Sequence, residues 1–417
     1  MKIIYTVLLA ALLAACQPAR PPAAPAADTA RAYAPAQGRR PSVAELTALG
    51  RAMFMEPALS ASGRLACASC HSPDNAFSPN NKLAAQLGGA DGRTEGTRAA
   101  PSLRYLQNVP AFTEHYHDDD GDDSTDAGPT GGHNWDGRVQ SAHEQALGPL
   151  LSAREMGNRD EAAVLARLQA SALAAQFRQV YGAAVFERPR AALQGALMAL
   201  EVFQQSPAEF YPYTSKYDAY LRRQTSLSAQ ELRGLQLFND ETKGNCASCH
   251  ISRISPGGAF PQFTDYGLIN IGVPRNRKLA VNADPGYYDL GLCGPDRADL
   301  RDHREYCGAF KTPSLRNVAL RKVYFHNGSF TSLAQVVRFY ATRDTAPQKW
   351  YVGGRKFDDQ PAGLEANVDM AAPFGGQPGG KPALSEREIA DIVAFLHTLT
   401  DGYQSGVRSN ISTQARR

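Results

Sequence analysis

A mainly α fold, built as two related domains with long loops, is what the sequence predicts, and three observations predict it. Capping boxes recur in front of apolar-periodic segments, no series of β-hairpins is legible, and the pentapeptide CASCH occurs twice, at Cys67–His71 and Cys246–His250. With 417 residues, 43% of them hydrophobic and 20% charged, the chain is long enough for two domains of common size. A net charge of +3 with no basic stripe excludes nucleic acid as an expected partner.

Read from the N-terminus, Lys2 is followed by the apolar run Ile3 to Ala15, interrupted by Tyr5 and Thr6 and too short to span a bilayer. It reads as a signal-peptide core. Its end, Leu13-Ala14-Ala15-Cys16, is similar to the lipobox of bacterial lipoproteins, which implies export and acylation of Cys16 over residues 1–16; an ordinary signal peptide that contains a cysteine is the other reading. Residues 17–40, rich in Pro and Ala and without periodicity, are expected to be a tether between membrane and folded body.

Helices are expected after the capping boxes Ser42/Glu45, Ser228/Glu231, Ser332/Gln335 and Ser385/Glu388. The last opens an amphipathic segment with Ile389, Ile392, Val393 and Leu396 on one face. The loop His115 to His133 carries six Asp; their spacing misses the EF-hand pattern, so a solvated insertion is expected rather than a calcium loop.

More than the pentapeptide is duplicated. Gly50-Arg51-Ala52-Met53-Phe54 corresponds to Gly234-Leu235-Gln236-Leu237-Phe238, Ala100-Pro101-Ser102-Leu103-Arg104 to Thr312-Pro313-Ser314-Leu315-Arg316, and Asp136-Gly137 to Asn327-Gly328. The order is the same in both halves, which predicts domains at 41–220 and 221–403, a boundary near Lys216 to Leu227, and a disordered tail at 404–417. Of the seven cysteines, Cys16 and the four of the repeats leave Cys293 and Cys307. In an oxidising compartment these are expected to form a disulfide worth about 3 kcal/mol by chain entropy, with two free thiols as the alternative.

C-x-x-C-H attaches a c-type haem: two thiols bond the vinyl groups, and the adjacent histidine ligates iron. Chance would place such a motif about 0.003 times in a chain of this composition, so two copies outweigh a redox C-x-x-C or half a zinc site. Two covalent haems are therefore expected, one in each cytochrome c domain, attached through Cys67 and Cys70 and through Cys246 and Cys249, with His71 and His250 as proximal iron ligands.

From Ser42 to Tyr403 the sequence resembles the bacterial di-haem cytochrome c peroxidase family, which includes MauG-like enzymes. Besides the haem motifs, the resemblance rests on Asn134-Trp135-Asp136-Gly137-Arg138, on Glu144-Gln145 and Arg154-Glu155-Met156, and on Phe310 to Val318 leading to Tyr324-Phe325-His326-Asn327-Gly328. It implies that the first haem meets peroxide and the second exchanges electrons, with Trp135 between them. It also implies that Gln145 and Glu155 line the peroxide pocket, where a partly desolvated carboxylate shuttles the proton that O–O cleavage needs. Conventional members carry a capping histidine between the first motif and the Arg-x-Ala-Pro segment, but Ser72 to Pro101 contains none. The first iron is thus expected to be open at rest unless His115, His117 or another loop histidine folds back. Ala99 stands where the family has an asparagine at an interdomain calcium, which puts calcium in doubt.

At the second haem, conventional members supply a methionine from a helix; the matching stretch Leu333 to Tyr340 ends in tyrosine, as in the MauG-like branch. Tyr340 shares a helical face with Leu333, Val336 and Val337, so it is the expected sixth ligand, with Met370 as the alternative. A phenolate favours oxidised iron. The implied enzyme uses hydrogen peroxide to oxidise a cytochrome c, cupredoxin or other protein donor through a MauG-like high-valent di-haem state, in the periplasm and on a lipid anchor. The alternatives are oxidation of side chains on a partner protein, or electron transfer without catalysis. The motifs carry no signal for or against a homodimer.

Overall fold

The computed structural model describes residues 40–117 and 127–404. The expected signal segment, Cys16, the tether up to residue 39, the tip of the Asp-rich loop and the tail from residue 405 lie outside the described residues. Among the described residues no helix is long and apolar enough to cross a membrane.

The first half begins with α1 (Val43–Phe54), where the Ser42 hydroxyl accepts from the Glu45 amide and Glu45 reaches back to the Ser42 amide, closing the box. A one-turn helix at Cys67–Cys70 and a short antiparallel ladder, β1 (Leu87–Gly88) with β2 (Thr94–Glu95), come next. Four longer helices follow, α2 (Ala142–Leu151), α3 (Glu161–Ala170), α4 (Ala174–Tyr181) and α5 (Pro189–Gln204), and a one-turn helix at Pro207–Phe210 ends the half. Ser141 and Asp160 cap α2 and α3, and Pro189 opens α5, where its missing N–H costs no hydrogen bond.

The second half repeats this plan with fewer helices. α6 (Lys216–Leu221) and α7 (Ala229–Asn239) precede a ladder of β3 (Leu268–Ile269) with β4 (Phe310–Lys311), then α8 (Leu333–Thr342) and α9 (Glu386–His397). Boxes at Ser228 and Ser385 are formed as expected. The expected box at Ser332 is not: Ser332 precedes α8, but its hydroxyl accepts no hydrogen bond from the helix. Apolar contact sets that helix start instead, since Leu333, Val337 and Phe339 are all buried in the second core.

The duplicated Gly-x-x-x-Phe segments are the same helix crossing built twice. α1 packs on α5, and α7 on α9. A Cβ on Gly50 would stand 1.9 Å from the Ala199 carbonyl oxygen, and one on Gly234 would stand 2.0 Å from that of Asp391, so only glycine allows either approach. One turn on, Phe54 meets Phe203 edge to face at 5.5 Å and Phe238 meets Phe395 at 5.2 Å. On α9, Ile389, Ile392 and Leu396 are buried as the periodicity predicts.

Buried apolar side chains gather into two main clusters, one around Phe54, Phe77 and Phe203 and one around Phe238, Phe263 and Phe395. Tyr217 of α6, inside the expected boundary segment Lys216 to Leu227, belongs to the second. Two polar knots tie the halves. Arg98 pairs with Asp289 at 2.6 Å and with Asp136 at 2.6 Å, and Asp401 accepts from Arg104 (2.9 Å), the Tyr105 hydroxyl (2.8 Å) and Asn317 (2.7 Å). Cys293 and Cys307 are bonded, with Cα atoms 5.0 Å apart.

Candidate di-haem site

Each CASCH motif is a tight turn that ends by aiming its histidine. The His71 amide donates to the Cys67 carbonyl at 2.9 Å and the His250 amide to that of Cys246 at 2.8 Å. The His71 Nδ1–H donates to the Phe77 carbonyl (3.2 Å) and the His250 Nδ1–H to the Phe263 carbonyl (2.8 Å). Both phenylalanines have left-handed backbone, φ 52° and 55°, which turns the carbonyl back toward the imidazole. The repeated Pro-Ser-Leu-Arg segments hold those carbonyl loops. Ser102 donates to the Ala76 carbonyl (2.7 Å) and Ser314 to that of Gln262 (2.6 Å).

This arrangement fits a c-type haem. Fixing Nδ1 as the donor leaves Nε2 as the lone-pair nitrogen for iron. Burial pushes both imidazoles down to about 4, so they are neutral. None of Cys67, Cys70, Cys246 and Cys249 is in a disulfide, and all four are only half-buried. Burial raises Cys67 and Cys246 to about 12 and Cys70 and Cys249 to about 11, which keeps them as thiols.

A mostly apolar cavity is lined by Cys246, Cys249, His250, Tyr340, Trp135 and Gln145, while Cys67, Cys70, His71 and Glu155 are not on its wall. Leu333, Val336 and Val337 line it beside Tyr340, as their shared helical face predicts. The Phe374 ring stacks on Tyr340 at 5.2 Å. Burial first, then the neighbouring Cys249 and Cys246, raise the phenol, while Arg343 opposes them. Met370 is placed differently: it is 47% exposed, and its sulfur accepts from Arg343 Nη2 at 3.1 Å.

On the other side, Trp135 is held by its indole N–H, which donates to the Ala99 carbonyl at 2.8 Å, and by its own carbonyl, which accepts from the Lys311 amide at 2.7 Å. Gln145 on α2 donates from Nε2 to Asn134 Oδ1 at 3.2 Å. Glu155 follows α2 in a turn closed onto Ser152 and lies close enough to Cys67 and Cys70 to raise both thiols. Solvent reaches Glu155, yet the surrounding protein raises its carboxyl above the usual range, against the pull of Arg138. Asp136 holds Arg138 in place at 2.6 Å. His115 and His117 are exposed. No group of three or more His, Cys, Asp or Glu among the described residues is arranged to hold a metal ion.

Residues 44–226 match the model of the di-haem cytochrome c peroxidase family. The methylamine utilization protein MauG of Paracoccus denitrificans is 34% identical over 383 residues, spanning 88% of this chain and 91% of that one. The chain belongs to the di-haem cytochrome c peroxidase family. Among solved structures, the diheme peroxidase BthA from Burkholderia thailandensis superimposes with a TM-score of 0.78 at 38% identity, over 87% of both chains. The cytochrome c551 peroxidase of Nitrosomonas europaea is 26% identical over 314 residues, 73% of this chain and 75% of that one. As a di-haem peroxidase, the protein is a peroxide-acting oxidoreductase with two c-type haems.

Four further residues on the cavity wall were not assigned from sequence: His133, Lys311, Arg321 and His326. His326 stacks on Phe310 with ring centroids 3.5 Å apart, and its carbonyl accepts from the Ala99 amide at 2.6 Å. Lys311 and His326 stand inside motifs quoted for the family, which was the available signal. His133 was marked only as a histidine of the Asp-rich loop, and nothing in the sequence marked Arg321.

Proposed function

We propose that this di-haem peroxidase reduces hydrogen peroxide to water with two electrons, drawn one at a time from a cytochrome c, cupredoxin or other protein donor. The observation that carries the reading is the unlike surroundings of two otherwise matched attachment sites. A carboxylate with a raised pKa stands near the first thiol pair, and a half-buried phenol shares a cavity wall with the second. Bound haem supplies an iron that takes an oxygen ligand and exchanges electrons.

The chain supplies the rest. His71 and His250 give the proximal nitrogens. Glu155 takes the proton from one peroxide oxygen and returns it to the other, a task that suits a carboxylate whose pKa has moved toward neutrality. Gln145, oriented by Asn134, presents its amide to the peroxide. Trp135, on the wall of the cavity that His250 also lines, carries the electron path. Tyr340 would be the residue that holds the second iron opposite the motif, and its place on the cavity wall supports it over the exposed Met370. Steady-state oxidation of reduced cytochrome c by peroxide is the test. Turnover is expected; no reaction of peroxide with the diferric protein would leave only electron transfer.

A second reading, oxidation of side chains on a partner protein, is favoured by Tyr340 and by the likeness to MauG. Rapid reaction with peroxide but no turnover with any reduced cytochrome c or cupredoxin would select it. We place the protein in the periplasm, anchored by lipid on Cys16. Membrane fractionation of the Cys16→Ser chain tests this, with release into the soluble fraction expected.

A further inference from the structure

Tyr340 and Met370 are the two candidate ligands at the second motif, and one arginine is tied to both. Arg343 follows α8 directly and is fully buried, its charge met by Asp344 at 2.8 Å. Its guanidinium lies 3.6 Å from the centre of the Phe374 ring. Phe374 in turn stacks on Tyr340, with centroids 5.2 Å and planes 24° apart. Tyrosine, phenylalanine and arginine thus form one stack behind the cavity wall.

The same guanidinium grips the segment that carries Met370. Arg343 Nη2 donates to the Asp369 carbonyl at 2.8 Å and to the Met370 sulfur at 3.1 Å, while Asp344 accepts from the Gly375 amide at 2.9 Å. In the middle of the segment, the Ala372 carbonyl accepts from Asn245, the residue before Cys246, at 2.8 Å. Asp369, Ala372, Pro373 and Phe374 line the cavity with Tyr340; Met370 is not on its wall.

A desolvated guanidinium is held to an aromatic face by the ring quadrupole, so Phe374 cannot turn away without losing that attraction. The Tyr340 ring keeps the plane that Phe374 gives it. For Met370 the same arginine has the opposite effect: a thioether is a weak acceptor, and a sulfur already facing an N–H is not offered to a metal. The choice matters because a neutral thioether favours reduced iron and a phenolate favours oxidised iron.

We infer that Arg343 and Phe374 are positioning residues that select the ligand of the second site, presenting Tyr340 to it and withholding Met370. The inference rests on the reading of Tyr340 as the residue that holds the second iron. Neither Arg343 nor Phe374 touches the reacting atoms; both act through the two side chains they hold.

The test is electron paramagnetic resonance of the resting ferric holoproteins, with absorption spectra and a spectroelectrochemical titration of both haems. Arg343→Gln is expected to raise the midpoint potential of the second haem and to bring in the absorption band of thioether-ligated iron, and adding Met370→Leu to it should abolish that band. Phe374→Leu, which leaves the sulfur held, is expected to convert part of the second haem's low-spin signal to high-spin without a thioether band. Phe374→Tyr keeps a ring to stack and should match the unmodified protein. Native signals and potentials in both Arg343→Gln and Phe374→Leu at full haem loading overturn the inference, as does a thioether band that survives Met370→Leu. If Arg343→Gln does not load haem, the Phe374 variants decide: a native spectrum in Phe374→Leu overturns the inference, and a loss there with recovery in Phe374→Tyr supports it. Tyr340→Phe separates the two levels. An unchanged second haem in that variant removes the reading of Tyr340 and the inference with it, whereas a changed one beside native Arg343→Gln and Phe374→Leu removes the inference alone.

Discussion

Replacing Gly234 with alanine tests whether the duplicated Gly-x-x-x-Phe segment is a packing device. The new Cβ would lie 2.0 Å from the Asp391 carbonyl oxygen and 2.8 Å from the Phe395 Cβ. An unstrained contact needs about 3.5 Å, so α7 and α9 must separate by roughly 1.5 Å, enough to forfeit much of the dispersion contact between them. Overpacking against backbone, which cannot rotate away, belongs at the upper end of the usual range, about 3 kcal/mol. Alanine returns about 1 kcal/mol of helix propensity. The net loss of about 2 kcal/mol should lower Tm by about 4–8 °C for a domain of this size. Thermal melting of the haem-loaded protein, followed by far-ultraviolet circular dichroism, reads this directly. Gly50→Ala, with its 1.9 Å approach to Ala199, should behave alike. A Tm within about 1 °C of the unmodified protein for either variant would refute the crossing argument.

Glu155→Gln should slow the reaction of peroxide with the diferric protein about 10²- to 10⁴-fold in stopped-flow. In the unmodified protein that rate should fall as pH drops through the Glu155 midpoint, which the surrounding protein raises from its ordinary value. Tyr340→Met should raise the midpoint potential of the second haem in a redox titration, since a thioether favours reduced iron; an unchanged potential would exclude Tyr340 as ligand. Asp359 is buried beside His326, and burial raises it from 3.8 to about 7. Its folded form holds a proton that the unfolded form has released, so stability should decline as pH rises from about 4 to about 7, and Asp359→Asn should flatten that decline in urea titrations.

What could be read from the sequence was what short segments encode alone. The boxes at Ser42, Ser228 and Ser385 are local hydrogen-bond patterns, and each is present. Ser332 has the same letters but sits before a helix fixed by burial of Leu333 and Val337, and there the cap fails. The CASCH pair pointed to two c-type haems without structural help, as the family shows. The two leading phenylalanine carbonyls were invisible, because a positive φ at Phe77 or Phe263 has no composition signal. Trp135 and Glu155 were assigned only through the family resemblance, since their partners, Ala99, Arg138 and the thiols, lie far off in sequence. Lys311 and Arg321 had no role assigned from the sequence, because only the fold brings them to the cavity wall.

The Asp401 knot has a consequence for assembly order. Arg104 and Tyr105 follow the first haem motif, Asn317 follows the second, and the carboxylate that joins them lies beyond α9. A chain crossing a membrane from its N-terminus presents both pairs of thiols before it presents this clasp. If export runs as proposed above, haem would be attached to each motif before Asp401 arrives to join the halves.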